Sequence, residues 1–270
     1  MAENSKIEWT RHTWNPWIGC TKVGPPCDGC YAENMMDTRY GRVQWGGPGK
    51  GVGTRLRTST ANWRKPFQWD REAAKAGDRP FVFCASLADI FDNQVDPAWR
   101  TDAFDVMRRT PHLVYLLLTK RPQNIIRLSR DAGGLPRNAA IGCTMADQKE
   151  YDRDRMILAG AAEELKPLFS FGSFEPLLGQ IILDTNAPDW VIVGGETDQG
   201  QHKARYADPE WMRSLRDQCR VLNRAFFLKQ MTRKAPIPDD LLVRQWPRIA
   251  AEDHHTAMLR RALEMEEGRG

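Results

Sequence analysis

Six short, almost wholly apolar runs separated by helix-length segments constrain this chain more than any other feature. They cover residues 81–85, 113–119, 139–144, 169–174, 190–194 and 225–229. Runs of this length that are apolar at nearly every position fit parallel strands covered on both faces. The segments between them carry helix signals. Asp96-Pro97 and Asp208-Pro209 place an N-cap acid before a proline in the first turn, opening helices that run to about Arg109 and Leu222. Further helical patterns span 122–130, 146–165 and 251–267. Strand–helix alternation of this kind builds βαβ units. Six or seven units, counting a short strand near 17–19, predict an α/β fold: a partial (β/α) barrel with parallel strands. A doubly wound open sheet is the alternative. The expected division is a barrel over 1–233, with a flexible Gly-rich and basic insertion at 41–69. A C-terminal extension over 234–270 ends in the terminal helix.

Composition excludes several classes. No apolar run approaches the ~20 residues needed to cross a bilayer, so no membrane partner is expected. The first eight residues, Met1 to Glu8, are polar and lack the apolar core of a secretory signal. A reducing cytoplasm is therefore the expected setting, or the host cytoplasm if the chain is phage-encoded. A net charge of +4 is compatible with nucleic acid without demanding it.

Nearly every predicted strand ends in a polar or charged group. Ser86 and Asp89 follow the first main strand, Thr119 and Lys120 the second, and Thr144 the third. Glu175 ends the fourth, Gly194-Gly195-Glu196 the fifth and Lys229 the sixth. In a barrel these carboxyl ends converge on one face, where catalytic groups gather. Glu175 and Lys229 are candidates for acid–base work or substrate anchoring, or for a salt bridge across the mouth. Cys143 is a candidate hydrogen-atom donor, or a buried thiol acting as a small hydrophobe.

The chemistry of the chain is carried by its cysteines. Cys20, Cys27 and Cys30 lie within eleven residues, in a loop with Gly19, Gly24, Pro25, Pro26 and Gly29. A disulfide framework does not suit a reducing compartment, so metal ligation is the better reading. Three thiolates suit a four-iron cluster with one iron left open to a ligand. Zinc closed by His12, Cys84 or Cys143 is the competing assignment.

A resemblance gives these residues a context. Ile7-Glu8-Trp9-Thr10, Thr13-Trp14-Asn15-Pro16 and the stretch from Cys20 to Glu33 resemble the phage gene-product 37/68 family, a radical-SAM-like group. The likeness continues through Asp89-Ile90-Phe91, Leu118 to Pro122, Ile141 to Thr144, Phe174 to Gly179, Trp190 to Glu196, Leu215 to Cys219 and Phe226 to Gln230. It implies a partial (β/α) barrel, a [4Fe-4S] cluster on Cys20, Cys27 and Cys30, and S-adenosylmethionine as cofactor. It further implies a reductase or flavodoxin-type electron donor. Two departures from the usual radical SAM pattern stand out: six residues separate the first two cysteines, and Gly29 occupies the position where an aromatic residue usually supports the adenine. Tyr31 is the candidate substitute. Gly194-Gly195-Glu196 resembles the element that holds the methionine amino group but comes late in the chain. Ser86 or Asp89 is the alternative for that role, and Lys120 is a candidate partner for a carboxylate.

Arg55, Arg57, Trp63, Arg64 and Lys65 mix cations with aromatic rings, a combination that grips phosphates and stacks bases. The expected function is a radical-SAM-type enzyme that abstracts hydrogen from a nucleotide or nucleic-acid base. The alternative is a non-catalytic cluster or zinc module of phage origin that binds nucleic acid or a host protein.

Overall fold

The computed structural model describes residues 5–249, so the expected terminal helix at 251–267 lies outside the described residues. Seven parallel strands form one sheet: β1 (His12–Thr13), β2 (Phe81–Cys84), β3 (Val114–Thr119), β4 (Ala139–Thr144), β5 (Ser170–Phe174), β6 (Trp190–Gly194) and β7 (Ala225–Gln230). Their order in space is their order in sequence. A doubly wound sheet would reverse direction at a switch point; this one never does, and it curls into a half-barrel. No helix of the described residues is long and apolar enough to cross a membrane.

The predicted strands are found within a residue or two of their expected bounds, with one correction. The first strand of the sheet is His12–Thr13, paired with Val82 and Phe83. The expected strand near 17–19 instead pairs antiparallel with Leu56–Arg57, outside the sheet.

The helices begin as their caps dictate. Helix α3 (Pro97–Arg108) starts where Asp96 Oδ1 accepts the Ala98 amide at 2.9 Å. Helix α5 (Gln148–Leu165) starts where Asp147 Oδ1 accepts from Glu150 N at 2.8 Å, and α6 (Pro209–Val221) where Asp208 Oδ1 accepts from Glu210 N at 2.9 Å. Helix α4 (Ile125–Asp131) is preceded by a 3-10 turn at Pro122–Asn124.

The Gly-rich and basic segment over 41–69 carries a hairpin and the start of a helix. Trp45–Gly47 and Gly51–Gly53 form an antiparallel hairpin. Gly46 and Gly53 are glycines because a Cβ on either would sit 2.3 Å from backbone of the other strand. The hairpin backs the first cysteine: Gly46 N donates to Cys20 O at 2.9 Å and Gly46 O accepts from Lys22 N at 3.0 Å. Helix α2 (Thr60–Ala76) follows, with Pro66 inside it and Ser59 as N-cap. Helix α1 (Tyr31–Glu33) lies upstream and continues as a π-helical segment, Asn34–Arg39.

Strand side chains alternate between two cores, as the period of two requires. Tyr115, Leu117, Ile141, Val191 and Val193 face the helices. Val114, Leu116, Ala140, Phe171, Trp190, Ile192 and Phe227 face the barrel interior with Trp9 and Phe83. The interior rings interlock, with Trp9–Phe83 centroids 4.7 Å apart and Trp190 edge-on to Phe227 at 6.1 Å. Each fully buried side chain of this size contributes about 2–3 kcal/mol. The resulting aromatic floor fills the amino-terminal end of the half-barrel and leaves its carboxyl mouth open.

Candidate active site

Strand parity decides which strand-end residues reach the mouth. Continuing the interior faces of β3, β5, β6 and β7 by two residues brings Lys120, Glu175, Glu196 and Lys229 inward. All four line one cavity of about 620 Å³, together with Tyr31, Ser86, Asp89, Ser173 and Gly195. Cys20, Cys27 and Cys30 line the same cavity.

Cys143 falls on the opposite parity. It is fully buried in the helix-facing core, with Asp154 of α5 at 3.9 Å. It does not line the cavity, and this corrects its expected role as a hydrogen donor there. Burial pushes its thiol pKa well up, as expected for an inert, desolvated cysteine.

The three mouth-lining cysteines occupy a different environment. All six cysteines of the chain are free. Burial raises the Cys20 thiol to about 12, and the Arg121 guanidinium, with Nη1 3.4 Å from Sγ, works against that rise. Burial raises Cys30 as well. Burial opposes the Lys120 charge, but Cys27, Cys30, Asp89 and Cys20 together hold its pKa above the ordinary value. Lys120 shares the cavity wall with all three sulfurs. Among the described residues, no three or more His, Cys, Asp or Glu side chains close on one point as ligands of a single ion would. The thiolates of a four-iron cluster bind separate irons and stand wider apart than that. The expected zinc-closing side chains, His12, Cys84 and Cys143, do not line the cavity. His12 instead stacks on Trp69 at 4.3 Å. A soft, all-sulfur donor set facing one cavity beside a compensating cation fits an iron–sulfur cluster.

The expected cofactor-binding residues divide into two groups. Tyr31 and Ser86 are joined by a 2.8 Å hydrogen bond from the phenol to the Ser86 carbonyl, and Ser86 Oγ accepts from Asn15 Nδ2 at 3.0 Å. Both residues remain at the cavity wall. Asp89 is buried and its carboxylate is saturated. It accepts from Thr119 Oγ1, Lys120 N, Phe91 N and Arg121 Nη1, so its role is to hold the β2 and β3 ends together and to aim Arg121 at Cys20.

Glu196 is also committed. It accepts from Arg205 N at 2.8 Å, Nε at 2.9 Å and Nη2 at 2.6 Å, with His202 Nε2 at 3.1 Å. Burial would raise its pKa, but the Arg205 hydrogen bonds, with His202, bring it down to about 2. Gly194 and Gly195 have packing reasons to be glycine. A Cβ on Gly195 would lie 2.3 Å from Thr232 N, and one on Gly194 would lie 3.1 Å from Glu175 Cδ. Nothing in the motif signalled Arg205 or His202, because both come from the loop after β6.

The basic aromatic stretch is largely occupied by structural contacts. Arg55 pairs with buried Asp92, with Nε 2.8 Å from Oδ2. Arg57 pairs with Asp102 at 2.7 Å and lies over the Trp63 ring at 4.1 Å. Trp63 packs edge-on against Trp14. Arg55, Arg57 and Trp63 are thus engaged by the fold, and among the described residues no ion pair or ring contact involves Arg64 or Lys65. The cations that do line the cavity without an ion pair among the described residues are Lys6, Arg39, Lys120 and Lys234. Lys6, Arg39 and Lys234 are exposed at its rim.

The family described as "Protein of unknown function (DUF5131)" matches residues 4–263. The chain belongs to the DUF5131 family. No curated protein matches the sequence. Among solved structures, the DUF5131 chain is similar to a spore photoproduct lyase mutant (TM-score 0.53, 10% identity, 85% of this chain and 78% of that one). It is similarly close to spore photoproduct lyase complexed with dinucleoside spore photoproduct (TM-score 0.52, 10% identity, the same coverage). At that identity the likeness is one of fold. The DUF5131 fold here is a partial (β/α) barrel of parallel strands, similar to that of spore photoproduct lyase.

Proposed function

We propose that this DUF5131 chain is a radical-SAM-type enzyme that acts on a nucleotide or nucleic-acid base. The observation that carries the reading is that Cys20, Cys27 and Cys30 line one cavity with the strand-end residues, at the carboxyl mouth of a half-barrel of that type. Those three thiols would hold a [4Fe-4S] cluster with one iron open to S-adenosylmethionine. Bound there, the two groups would supply radical chemistry for removing a hydrogen atom from a substrate.

The chain's own residues would bind, orient and shield. Lys120 offsets the negative charge of the three thiolates. Arg121, fixed by Asp89, holds Cys20 in place. Tyr31 and Ser86 form a polar wall for the cofactor's adenosine end. Lys229 donates to Glu175 at the mouth, keeping a proton and an anchoring charge beside the substrate. The aromatic floor keeps water from reaching the site from below. Lys6, Arg39 and Lys234 supply positive charge at the rim, where a phosphodiester chain would lie. The spore photoproduct lyase complex, whose ligand is a dinucleoside, supports the same substrate class. The resemblance to the phage gene-product 37/68 group and a flavodoxin-type or reductase electron donor in a reducing cytoplasm belong to this reading.

Anaerobic reconstitution with iron and sulfide, followed by reduction with S-adenosylmethionine, tests it. The expected result is about four irons and four sulfides per chain and release of 5′-deoxyadenosine. A fully loaded cluster that yields no 5′-deoxyadenosine under strong reductant overturns the catalytic reading.

A further inference from the structure

Arg205 ties the Pro25–Asp28 part of the cysteine loop to the barrel. Arg205 grips Glu196 at the β6 end through Nε and Nη2. The same side chain reaches the cysteine loop, with Nη1 3.1 Å from Asp28 Oδ2 and Nη2 3.1 Å from the Pro25 carbonyl. Pro25 and Asp28 flank Cys27 on both sides. Asn34 Nδ2, at the start of the π-helical segment after α1, adds a contact to Gln199 Oε1 at 3.3 Å. Gly29 lies under this clamp: a Cβ there would come within 2.6 Å of His202 Cδ2 and 2.7 Å of Glu196 Oε1. The missing side chain before Cys30 therefore has a cause. The space is already filled by the residues that hold the loop down.

We propose that Arg205 is a positioning residue that latches the Cys27–Cys30 loop onto Glu196, and that Glu196 serves this latch rather than a cofactor amino group. The proposal rests on the cluster reading above for its consequence, but the latch itself is a property of the metal-free chain. Arg–carboxylate forks of this kind fix geometry as well as adding energy. The planar fork holds the Glu196 carboxylate at two points and still reaches Asp28 and the Pro25 carbonyl; a lysine offers a point charge without that bidentate geometry. With the latch intact, Cys27 and Cys30 are held in their places before any cluster arrives.

The test compares wild type with Arg205→Met, Glu196→Gln, Arg205→Lys and Asp28→Ala. In metal-free protein, N-ethylmaleimide labelling of Cys27 and Cys30 is followed by peptide mass spectrometry. Arg205→Met is expected to speed labelling about tenfold, the loss of one charged hydrogen-bond set. Glu196→Gln and Asp28→Ala are expected to accelerate it less, and Arg205→Lys is expected to restore part of the protection. After reconstitution, iron per chain is expected to fall by half or more in Arg205→Met. The affinity of the loaded fraction for S-adenosylmethionine, measured without reductant, is expected to stay within about twofold. Unchanged labelling with full iron and at least tenfold weaker S-adenosylmethionine binding in Glu196→Gln would overturn the proposal and return Glu196 to the cofactor. Asp28 is exposed, so Asp28→Ala keeps the test decisive if the barrel variants unfold. Unchanged labelling in that variant and in Arg205→Lys also counts against the latch. If wild type takes up no iron and sulfide, the cluster reading fails while the labelling rates still judge the latch.

Discussion

Lys229 and Glu175 form an ion pair across the barrel mouth although strand β6 lies between their strands. The bridge passes over Gly194, whose Cβ would lie within 3.1 Å of the Glu175 carboxyl carbon. Both partners are largely buried, so removing one leaves a charge with poor solvation. Glu175→Gln or Lys229→Met alone is expected to destabilise the metal-free chain by about 1–3 kcal/mol. The double variant is expected to lose less than the sum of the two. Urea unfolding of the four proteins measures the coupling, and full additivity would show that the pair contributes nothing.

The aromatic floor gives a second prediction. Phe171 is fully buried among interior rings and sits where a Cβ on Gly142 would strike it at 2.5 Å. Phe171→Ala is expected to cost about 3–5 kcal/mol, from lost transfer energy and the cavity left behind. Gly142→Ala is expected to be destabilising as well, because the ring cannot retreat into a filled floor. Thermal melts of both variants check the pair.

His12 makes stability depend on pH. Burial first, then the Arg11 charge, lowers its pKa from 6.5 to about 4. Between these values the unfolded chain binds a proton that the folded chain refuses. Stability contributed by neutral His12 is therefore complete above about pH 6.5 and is lost as pH falls toward 4. The loss is on the order of 3 kcal/mol. A His12→Gln variant is expected to show a flatter urea midpoint between pH 7 and 4; an unchanged slope would assign that dependence to other groups.

The rim cations predict substrate binding. Replacing Lys6, Arg39 and Lys234 together with alanine is expected to weaken binding of a single-stranded oligonucleotide. The slope of log affinity against log salt is expected to fall by about 0.7 for each lost phosphate contact. Fluorescence anisotropy over a salt series reads both quantities. Equal slopes for variant and wild type would remove the rim from the substrate path.

Much of this architecture was legible because parallel strands with two covered faces write themselves as unbroken apolar runs. Parity within those runs was not legible, because both faces are apolar, and only the paired sheet separates them. Cys143 lies one residue from Thr144, and the interior pattern of Ala140 and Gly142 excludes it from the mouth. Helix α2 was obscured for a physical reason. Trp63 was read as a base-stacking ring, whereas with Phe67 and Trp69 it packs a helix that tolerates Pro66 against the core. The Arg205 latch left no local trace, since a guanidinium 177 residues from Asp28 acquires its meaning only after folding. Glu196 was found for its place at a strand end, and its partner revealed that its work is mechanical.

Because Trp9, Phe83, Phe171, Trp190 and Phe227 block the amino-terminal end of the half-barrel, the site is a blind alley. Whatever enters must back out by the same door. On the proposed reading, a polymer would not thread through, and an unstacked base or a chain terminus is what would reach the cysteines.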